Sequence, residues 1–324
     1  MTPLTAADLY PRVSHAVPAV EWATMADDVD AIMRLKQERN AVILAHNYMT
    51  PEIFHGVSDI VGDSLALARE AIDVKADVIV LAGVHFMAET AKLLNPGRTV
   101  LIPDLRSGCS LAESITPTDV RALRAAHPGV PVVTYVNTSA AVKAESDICC
   151  TSGNAVKVIE SLGVPKVIMI PDRFLANNVA RQTGVEVIIH PGACEVHERF
   201  TPDDIRQVRA DHPGITVLAH PECPPKVVDE ADYSGSTAQM VKFVNAKRPL
   251  KVALITECSM SDNVAQAYPE LEFVRPCNLC PHMKRNTLAG IRHALETMTN
   301  EVIVPAGVAD RARLSVERML AVGK

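Results

Sequence analysis

The stretch from Val185 to Gly214, VEVIIHPGACEVHERFTPDDIRQVRADHPG, contains the pattern that decides the fold. It reads as a short apolar strand, then a Pro-Gly turn that carries Cys194, then a polar helix that ends at His-Pro-Gly. A strand followed by a helix after a short turn is the building unit of parallel sheets covered by helices.

The same pattern occurs on both sides of this stretch. Thr99–Gly129 (TVLIPDLRSGCSLAESITPTDVRALRAAHPG) repeats it with Cys109 on the turn, and Leu271–Glu296 repeats it more loosely with Cys280 on the turn. The period is about 85 residues, which is too long for a solenoid unit and suits a small domain. Three copies with a cysteine just past a strand predict that three thiolates converge on one point.

Each repeat reads as three strands that alternate with helices, and the repeats open with AVILAHNY, PVVTYVNTSA and ITVLAHPEC. This order predicts an α/β fold of three αβα domains, each with a small parallel sheet. The predicted domains are residues 1–129, 130–214 and 215–292, and we expect the tail, 293–324, to pack back on the first one. Residues 1 to about 25 are predicted to be irregular and Asp27–Asn40 to be a helix.

Composition limits the classes of function. Of the 324 residues, 48% are hydrophobic and 4% aromatic, which is typical of an aliphatic core in parallel sheets. The net charge of −6 argues against a nucleic-acid partner, because phosphates need a basic surface. No apolar run approaches the roughly 20 residues that span a bilayer, and the first residues do not read as a secretory signal. We expect a soluble cytoplasmic protein without a membrane partner.

Eight cysteines in a cytoplasmic protein are not expected to form a disulfide framework. Cys149, Cys150 and Cys258 sit beside apolar residues or at strand ends, where packing alone explains a cysteine. The cysteines at equivalent repeat positions need another explanation.

Polar residues gather where the predicted strands end, which is the edge at which open parallel sheets bind ligands. They are His46, Tyr48, Tyr135, Asn137, His220 and Glu222. Each repeat also has Ser or Thr in a Gly-containing turn before a helix, a geometry that binds anions. These residues are Ser64, Ser152, Ser236 and Thr237. Simple helix capping is the alternative for any one of them, and their matched positions favour carboxylate or phosphate sites.

Three cysteines from three domains do not suggest structural zinc, which takes four ligands. Soft thiolates suit an iron–sulfur cluster, and with three of them one iron keeps an open position. Such an iron is a Lewis acid that polarises substrate oxygens, which suits dehydration or condensation. An aconitase-like hydro-lyase and an iron–sulfur carrier or redox sensor are the competing interpretations.

The chain resembles the quinolinate synthase family, of the three-cysteine 4Fe–4S type. The resemblance rests on AHNY, VGDSL, PDLRSGCSLA, YVNTSA, CCTSGNAVKV, PGACEVHERF, AHPEC, GST, TECSM and CPHMKRNTL, in this order between about residues 41 and 290. It implies condensation of iminoaspartate (iminosuccinate) with dihydroxyacetone phosphate to quinolinate, phosphate and water, on the route to NAD. It also implies three αβα domains, related by a pseudo-threefold axis, around a central 4Fe–4S cluster.

The resemblance assigns roles to residues of this chain. The cluster ligands would be Cys109, Cys194 and Cys280. Substrate contacts would fall on His46, Tyr48, Ser64, Tyr135, Val136, Asn137, Ser152, His220, Pro221, Glu222, Ser236 and Thr237. A hypothesis of mechanism follows: Glu222 and His220, expected on the same side of a strand in HPE, move protons, and Tyr48 and Tyr135 donate them.

Two further positions follow from the family pattern. Cys277, in Cys277-Asn-Leu-Cys280, is either a redox switch with Cys280 or a bystander. His190 stands where many members have Trp, so it would alter the packing beside a cluster ligand without being a ligand itself. The resemblance also implies functional coupling to L-aspartate oxidase, which produces iminoaspartate.

Overall fold

The computed structural model describes residues 2–322, and these form helices and short parallel strands in alternation. The strands are β1 Ala41–His46, β2 Ile60–Gly62, β3 Val78–Ala82, β4 Thr99–Leu101, β5 Val132–Tyr135, β6 Ile148–Cys150, β7 Lys166–Ile170, β8 Glu186–Ile189, β9 Thr216–Ala219, β10 Tyr233–Ser234, β11 Lys251–Ile255 and β12 Glu272–Val274. The α-helices are α1 Ala6–Val13, α2 Ala19–Glu38, α3 Ser64–Asp73, α4 His85–Leu94, α5 Ser110–Glu113, α6 Pro117–Ala126, α7 Ala140–Ala144, α8 Ala155–Ser161, α9 Arg173–Ala180, α10 Pro202–Asp211, α11 Pro225–Glu230, α12 Thr237–Lys247, α13 Ser259–Ala265, α14 Leu288–Thr297 and α15 Ala306–Ala321. One π-helical turn (Glu52–Val57) and two 3₁₀ turns (His197–Arg199 and Met283–Arg285) complete the elements.

Within the described residues the strands form three four-stranded sheets with the same internal order, β2-β1-β3-β4, β6-β5-β7-β8 and β10-β9-β11-β12. Neighbouring strands in all three are parallel. Strand β3, Val78–Ala82, is buried along its whole length, as expected of a strand with helices on both faces. The predicted α/β class with three small parallel sheets is confirmed.

The expectation of three strands per repeat is wrong, because each sheet has a fourth strand beside the first. These strands, β2, β6 and β10, are only two or three residues long. An aspartate precedes each one, and its carboxylate accepts a hydrogen bond from the backbone N–H of a residue in the neighbouring strand. The distances are 2.8 Å for Asp59 and Ile43, 2.7 Å for Asp147 and Val132, and 2.7 Å for Asp232 and Val217. Such short strands carry no readable alternation of apolar residues.

A basic side chain from the preceding helix pairs with each of these aspartates. Lys36 Nζ lies 2.7 Å from Asp59, Arg124 Nη2 lies 2.7 Å from Asp147, and Arg209 Nη2 lies 3.0 Å from Asp232. Each of these aspartates therefore links the preceding helix, the first strand and the edge strand of its sheet.

The N-terminal residues are more ordered than expected. Thr5 and Asp8 form a reciprocal cap at the start of α1, and Pro18 directly precedes α2, which begins eight residues before the predicted helix. The indole N–H of Trp22 donates to the carbonyl of Ala6 at 2.9 Å, which holds the two helices together. The prediction of irregular structure rested on Pro3, Pro11 and Pro18. Pro18 precedes the first turn of α2, where proline is compatible with a helix, whereas Pro11 lies within α1.

The C-terminal tail divides between two places. Helix α14 packs on α2 and β3, and the Val302 N–H donates to the Val100 carbonyl at 2.8 Å, both beside the first sheet. Helix α15 instead packs on α7 and β6 of the second sheet, with Ser315 Oγ 3.3 Å from Cys149 Sγ. The expectation that the whole tail, 293–324, packs on the first repeat is thus wrong for its last helix. The domain boundaries stay a prediction.

Contacts divide the chain into two compact units. The first comprises the residues up to Gly108, Ser259–Pro269 and Leu279–Ile303, and it contains the first sheet. The second comprises Cys109–Cys258, Glu270–Asn278 and the residues from Val304 onward, and it contains the other two sheets. Among residues 2–322, every helix is too short or too polar to cross a lipid bilayer.

Candidate active site

In the second unit, the turns that carry Cys109 and Cys194 lie against each other. Ser110 Oγ donates to the carbonyl of Ala193 at 3.3 Å and accepts from the N–H of Glu195 at 3.1 Å. Burial and the negative charges of Glu222 and Cys109 raise the pKa of the Cys194 thiol. Two of the three predicted ligand cysteines therefore come together, with negative charge around them that a bound cation would neutralise.

The turn before Cys194 is packed closely on the end of β7. The carbonyl of Gly192 accepts from the Arg173 N–H at 2.7 Å, and a Cβ atom at Gly192 would lie 2.6 Å from the Pro171 carbonyl oxygen. His190 Nδ1 lies 3.1 Å from that same carbonyl oxygen and 3.2 Å from the Gly192 nitrogen. The His190 imidazole thus packs against the backbone of the turn that carries Cys194.

His197 connects Cys194 with Glu222. Its Nδ1 lies 3.1 Å from Cys194 Sγ and 3.0 Å from Glu222 Oε2, and its Nε2 lies 2.9 Å from Thr256 Oγ1. The imidazole stacks on that of His220, with 4.7 Å between ring centroids. His197 is 1% exposed, so these contacts form away from bulk water.

Glu222 is the centre of the buried polar cluster. Tyr135 Oη donates a hydrogen bond to Glu222 Oε1, and His220 Nδ1 lies 3.8 Å from the same oxygen. Burial opposes ionisation of this carboxyl, but the charges of His197 and His220 and the hydrogen bonds from His197 and Tyr135 outweigh it and hold its pKa below the usual range. Glu222 is therefore a carboxylate at neutral pH.

His220 and Glu222 lie in the turn after β9, and not on the strand as the sequence suggested. Asn178 holds this turn, since its side-chain amide donates to the carbonyls of Pro221 at 2.8 Å and Cys223 at 3.0 Å. The Glu222 N–H points at His220 Nδ1 at 3.3 Å, which keeps the two side chains together.

A buried lysine supports the strand end that carries Tyr135. Lys143 is fully buried, and its ammonium donates to the carbonyl of Val136 at 2.7 Å and to that of Thr138. Tyr135 is buried and Asn137, two residues further on, is half-buried. The ammonium thus fixes the backbone of residues 135–137, the predicted substrate-binding segment.

Asp172 follows β7 and is 1% exposed. Its Oδ1 accepts from the N–H groups of Phe174 and Leu175 and caps α9, whereas Oδ2 has no hydrogen-bond partner among the described residues. Burial, and then repulsion by Glu222, raise the pKa of this carboxyl well above its ordinary value. Asp172 and Glu222 are thus two neighbouring carboxyls with opposite pKa shifts, a pattern found at acid–base sites.

Two of the predicted anion turns meet in the second unit. A Cβ atom at Gly153 would lie 3.2 Å from Ser236 Oγ, so the turn with Ser152 lies against the start of α12. A pocket of about 360 Å³ opens there, lined by residues that include Ser152, Gly235 and Gln239.

Of the four Ser and Thr residues predicted to bind anions, one caps its helix. Ser236 caps α12 through the Gln239 N–H at 3.3 Å, and Thr237 follows it as the first helical residue. Ser152 does not cap α8, whose N-cap is Asn154, and Ser64 is the first residue of α3, which is capped by Asp63. Their role in binding anions stays a prediction.

The first unit holds the remaining predicted site residues. His46 ends β1 and Tyr48 lies two residues beyond it, with their rings edge to face and 4.6 Å between centroids. The Lys284 ammonium donates to the Tyr48 carbonyl at 3.0 Å, and the Lys284 N–H donates to the carbonyl of Cys280 at 3.2 Å. The third predicted ligand turn thus lies beside His46 and Tyr48.

The cysteines outside the ligand set divide into two groups. Cys149, Cys150 and Cys223 are fully buried, which confirms packing as the explanation for the first two. Cys258 and Cys277 form a disulfide. Packing alone is thus the wrong interpretation of Cys258, and a Cys277–Cys280 pair is not what the structure shows.

Four residues of the site had no role predicted from the sequence: His197, Asp172, Lys143 and Asn178. His197 had a recognisable signal, because it stands three residues after Cys194 in GACEVH. Asp172, Lys143 and Asn178 can be recognised only from their burial in the structure. In a sequence, a single Asp, Lys or Asn within a helix or at its start is usually a cap or an exposed side chain.

Comparison with known proteins shows what the chain is similar to. Residues 30–321 match the family model described as quinolinate synthetase A protein. The chain is 70% identical over 318 residues to quinolinate synthase 2 of Mesorhizobium japonicum, covering 98% of each protein. It is 68% identical over 317 residues to quinolinate synthase of Agrobacterium fabrum, covering 98% of this chain and 92% of the relative. It is 70% identical over 296 residues to quinolinate synthase of Xylella fastidiosa strain Temecula1, covering 91% and 87%.

Proposed function

The chain belongs to the quinolinate synthetase A family, and on that premise we propose that it condenses iminoaspartate with dihydroxyacetone phosphate. The products are quinolinate, phosphate and two water molecules, as the atoms of the two substrates require. The reaction belongs to the biosynthesis of NAD. The observation that carries the proposal is the buried cluster of Tyr135, Glu222 and His197 beside the turns of Cys109 and Cys194.

The residues present fit a 4Fe–4S cluster. Cys109 and Cys194 lie on adjoining turns, and both are thiols that are only partly buried. Cys280 is the third proposed ligand, by its equivalent place in the third repeat. When bound, a cluster held by three cysteines supplies an iron with an open position that acts as a Lewis acid on a substrate oxygen.

The chain's own residues account for the proton transfers that the condensation needs. We propose that Glu222 accepts a proton from substrate carbon, and its burial and lowered pKa support this role. Tyr135 donates to that carboxylate and can return a proton to a departing oxygen. His220, 3.8 Å from Glu222 Oε1, shares the transfer, and Tyr48 is a second proposed donor.

Binding of the substrates is assigned to the turns and strand ends. We propose that the helix-start turns of Ser64, Ser152, Ser236 and Thr237 bind the carboxylates and the phosphate, with His46 and the Tyr135–Asn137 segment. In support, Ser152 lines a pocket of about 360 Å³ next to Ser236, whose size suits small acids. N–H groups at helix starts attract anions.

The setting of the enzyme follows from its chemistry. Cys109, Cys194 and Cys280 are free thiols, and the one disulfide among the described residues joins Cys258 and Cys277. Because the cytoplasm keeps thiols reduced, we propose a cytoplasmic enzyme whose ligand cysteines remain available. Oxidation of the amine of aspartate yields iminoaspartate, and we propose functional coupling to L-aspartate oxidase.

The test is an anaerobic assay of the iron-loaded chain with iminoaspartate and dihydroxyacetone phosphate. We expect quinolinate and phosphate in equal amounts, and neither from Cys109→Ala. A cluster-loaded protein that consumes neither substrate would refute the proposal. Transfer of its cluster to an acceptor protein, without turnover, would favour the carrier.

A further inference from the structure

Three chemically different metal-binding atoms face one another in the second unit. They are the sulfur of Cys194, a ring nitrogen of His197 and a carboxylate oxygen of Glu222, and all lie within 4.8 Å of one another. His197 and Glu222 are 1% and 4% exposed. Three lone-pair donors this close and this buried repel one another unless a positive charge, a proton or a cation, lies between them.

The spacing is close to that of a tetrahedral zinc site. Ligand atoms at roughly 2.0–2.3 Å from zinc lie about 3.3–3.6 Å apart. His197 Nδ1 lies 3.1 Å from Cys194 Sγ and 3.0 Å from Glu222 Oε2. An ion among these atoms thus requires His197 Nδ1 to lie only about half an ångström farther from the other two donor atoms, which are themselves within 4.8 Å of each other.

The atoms behind the three donors already orient them. The second nitrogen of His197 is hydrogen-bonded to Thr256 Oγ1 at 2.9 Å, the arrangement that directs the opposite nitrogen of a ligand histidine at its metal. The second oxygen of Glu222 accepts from Tyr135, which leaves Oε2 to face His197. Three protein ligands leave the fourth position to water, as in open zinc sites.

We propose that the chain without its cluster binds one Zn²⁺ through Cys194, His197 and Glu222, and that this zinc blocks cluster assembly. Binding releases the thiol proton of Cys194, since the thiolate is the ligand. Zinc and the cluster exclude each other because both need the sulfur of Cys194. This competition rests on the proposed function, in which Cys194 is a cluster ligand. The zinc site itself needs neither Cys109 nor Cys280.

The experiment uses the full-length chain, freed of iron by anaerobic chelation and kept reduced, with Co²⁺ as the spectroscopic probe and Zn²⁺ as competitor. We expect one Co²⁺ per chain with a thiolate charge-transfer band, displaced by one Zn²⁺. Cys109→Ala, which lacks a proposed cluster ligand, should bind like the parent. His197→Gln and Cys194→Ala should bind more than about 100-fold more weakly, because loss of an outer partner alone costs roughly 10–100-fold.

Unchanged Co²⁺ binding in a folded His197→Gln variant, or loss of binding in Cys109→Ala, would overturn the site. Circular dichroism establishes that each variant is folded, and Glu222→Gln is the second variant that tests the same site. One equivalent of Zn²⁺ should prevent the parent, but not His197→Gln, from incorporating iron and sulfide. A parent chain that loads iron equally with and without zinc would overturn the competition. A chain that loads iron in spite of Cys109→Ala would instead contradict the proposed function and leave the zinc site standing.

Discussion

Tyr135 donates a hydrogen bond to Glu222 although 87 residues separate them in the chain. Tyr135 ends the first strand of the second repeat, and Glu222 lies in the turn after the first strand of the third. The contact therefore joins equivalent strand ends of two repeats. The hydrogen bond also helps to lower the pKa of the buried Glu222 carboxyl, after the larger effects of His197 and His220.

Replacing Glu222 by Gln should abolish quinolinate formation while the cluster is retained. The amide cannot accept a proton, and loss of a general base typically lowers the rate by about 10²–10⁴-fold. Iron content and the visible spectrum should match those of the parent, because Glu222 is not a proposed cluster ligand. Glu198→Gln, at an exposed position on the same segment as His197, is the control and should be active. A fully active Glu222→Gln variant would refute the proton-transfer role.

Replacing Tyr135 by Phe should move the acid limb of the pH profile of kcat/KM to higher pH. The hydrogen bond from Tyr135 is one of the interactions that lower the pKa of Glu222, so its loss raises that pKa. If the base must be ionised, activity then begins to fall at a higher pH. The measurement is the pH–rate profile of both proteins at equal iron content. An unshifted acid limb would exclude this tuning of Glu222 by Tyr135.

The sequence was most informative where reactive residues recur at equivalent positions of the three repeats. The three repeats predicted three parallel sheets, and the cysteine turns of Cys109 and Cys194 do adjoin. The fourth strand of each sheet escaped prediction because strands of two or three residues are specified by a hydrogen bond to an aspartate and not by their own apolar pattern.

The residues that tune the site were harder to find. Lys143 and Asp172 look like surface residues in the sequence, and only tertiary packing buries them. The pairing of Cys258 with Cys277 likewise depends on the fold, because the nearer spacing of Cys277 and Cys280 favours a different pair.

Replacing Asp172 by Asn should make the fold less sensitive to pH. The pKa of Asp172 is raised in the folded state, so the folded chain retains a proton that the unfolded chain loses above about pH 4. Stability from this group is present at lower pH and is lost as the pH rises toward the folded pKa. Asn keeps the cap on α9 and has no charge.

Urea unfolding of Asp172→Asn between pH 5 and 8 checks this sign. We expect the variant to gain stability relative to the parent as the pH rises. Asp203→Asn, whose side chain is 88% exposed, should follow the parent at every pH. A parent that becomes more stable than Asp172→Asn with rising pH would show that Asp172 is ionised in the fold.

Replacing Asp147 by Ala should destabilise the chain by about 2 kcal/mol. The change leaves the N–H of Val132 without its acceptor, and such a loss typically amounts to about 1–3 kcal/mol. The pair with Arg124 adds less than about 1 kcal/mol, because both side chains are 36% exposed and solvent screens them. The measurement is the urea midpoint with Asp310→Ala, a surface pair at 88% exposure, as control. Equal midpoints for the two variants would contradict the anchoring role of Asp147.

The central claim, a cluster held by one cysteine from each repeat, is tested most directly by anaerobic iron and sulfide analysis with visible spectra. The parent should contain about four irons, and Cys109→Ala, Cys194→Ala and Cys280→Ala should each lose them. Cys277→Ala should retain them, since the sulfur of Cys277 is bonded to Cys258. A cluster that survives the loss of any one of the three, or that is lost in Cys277→Ala alone, would contradict the three-repeat site.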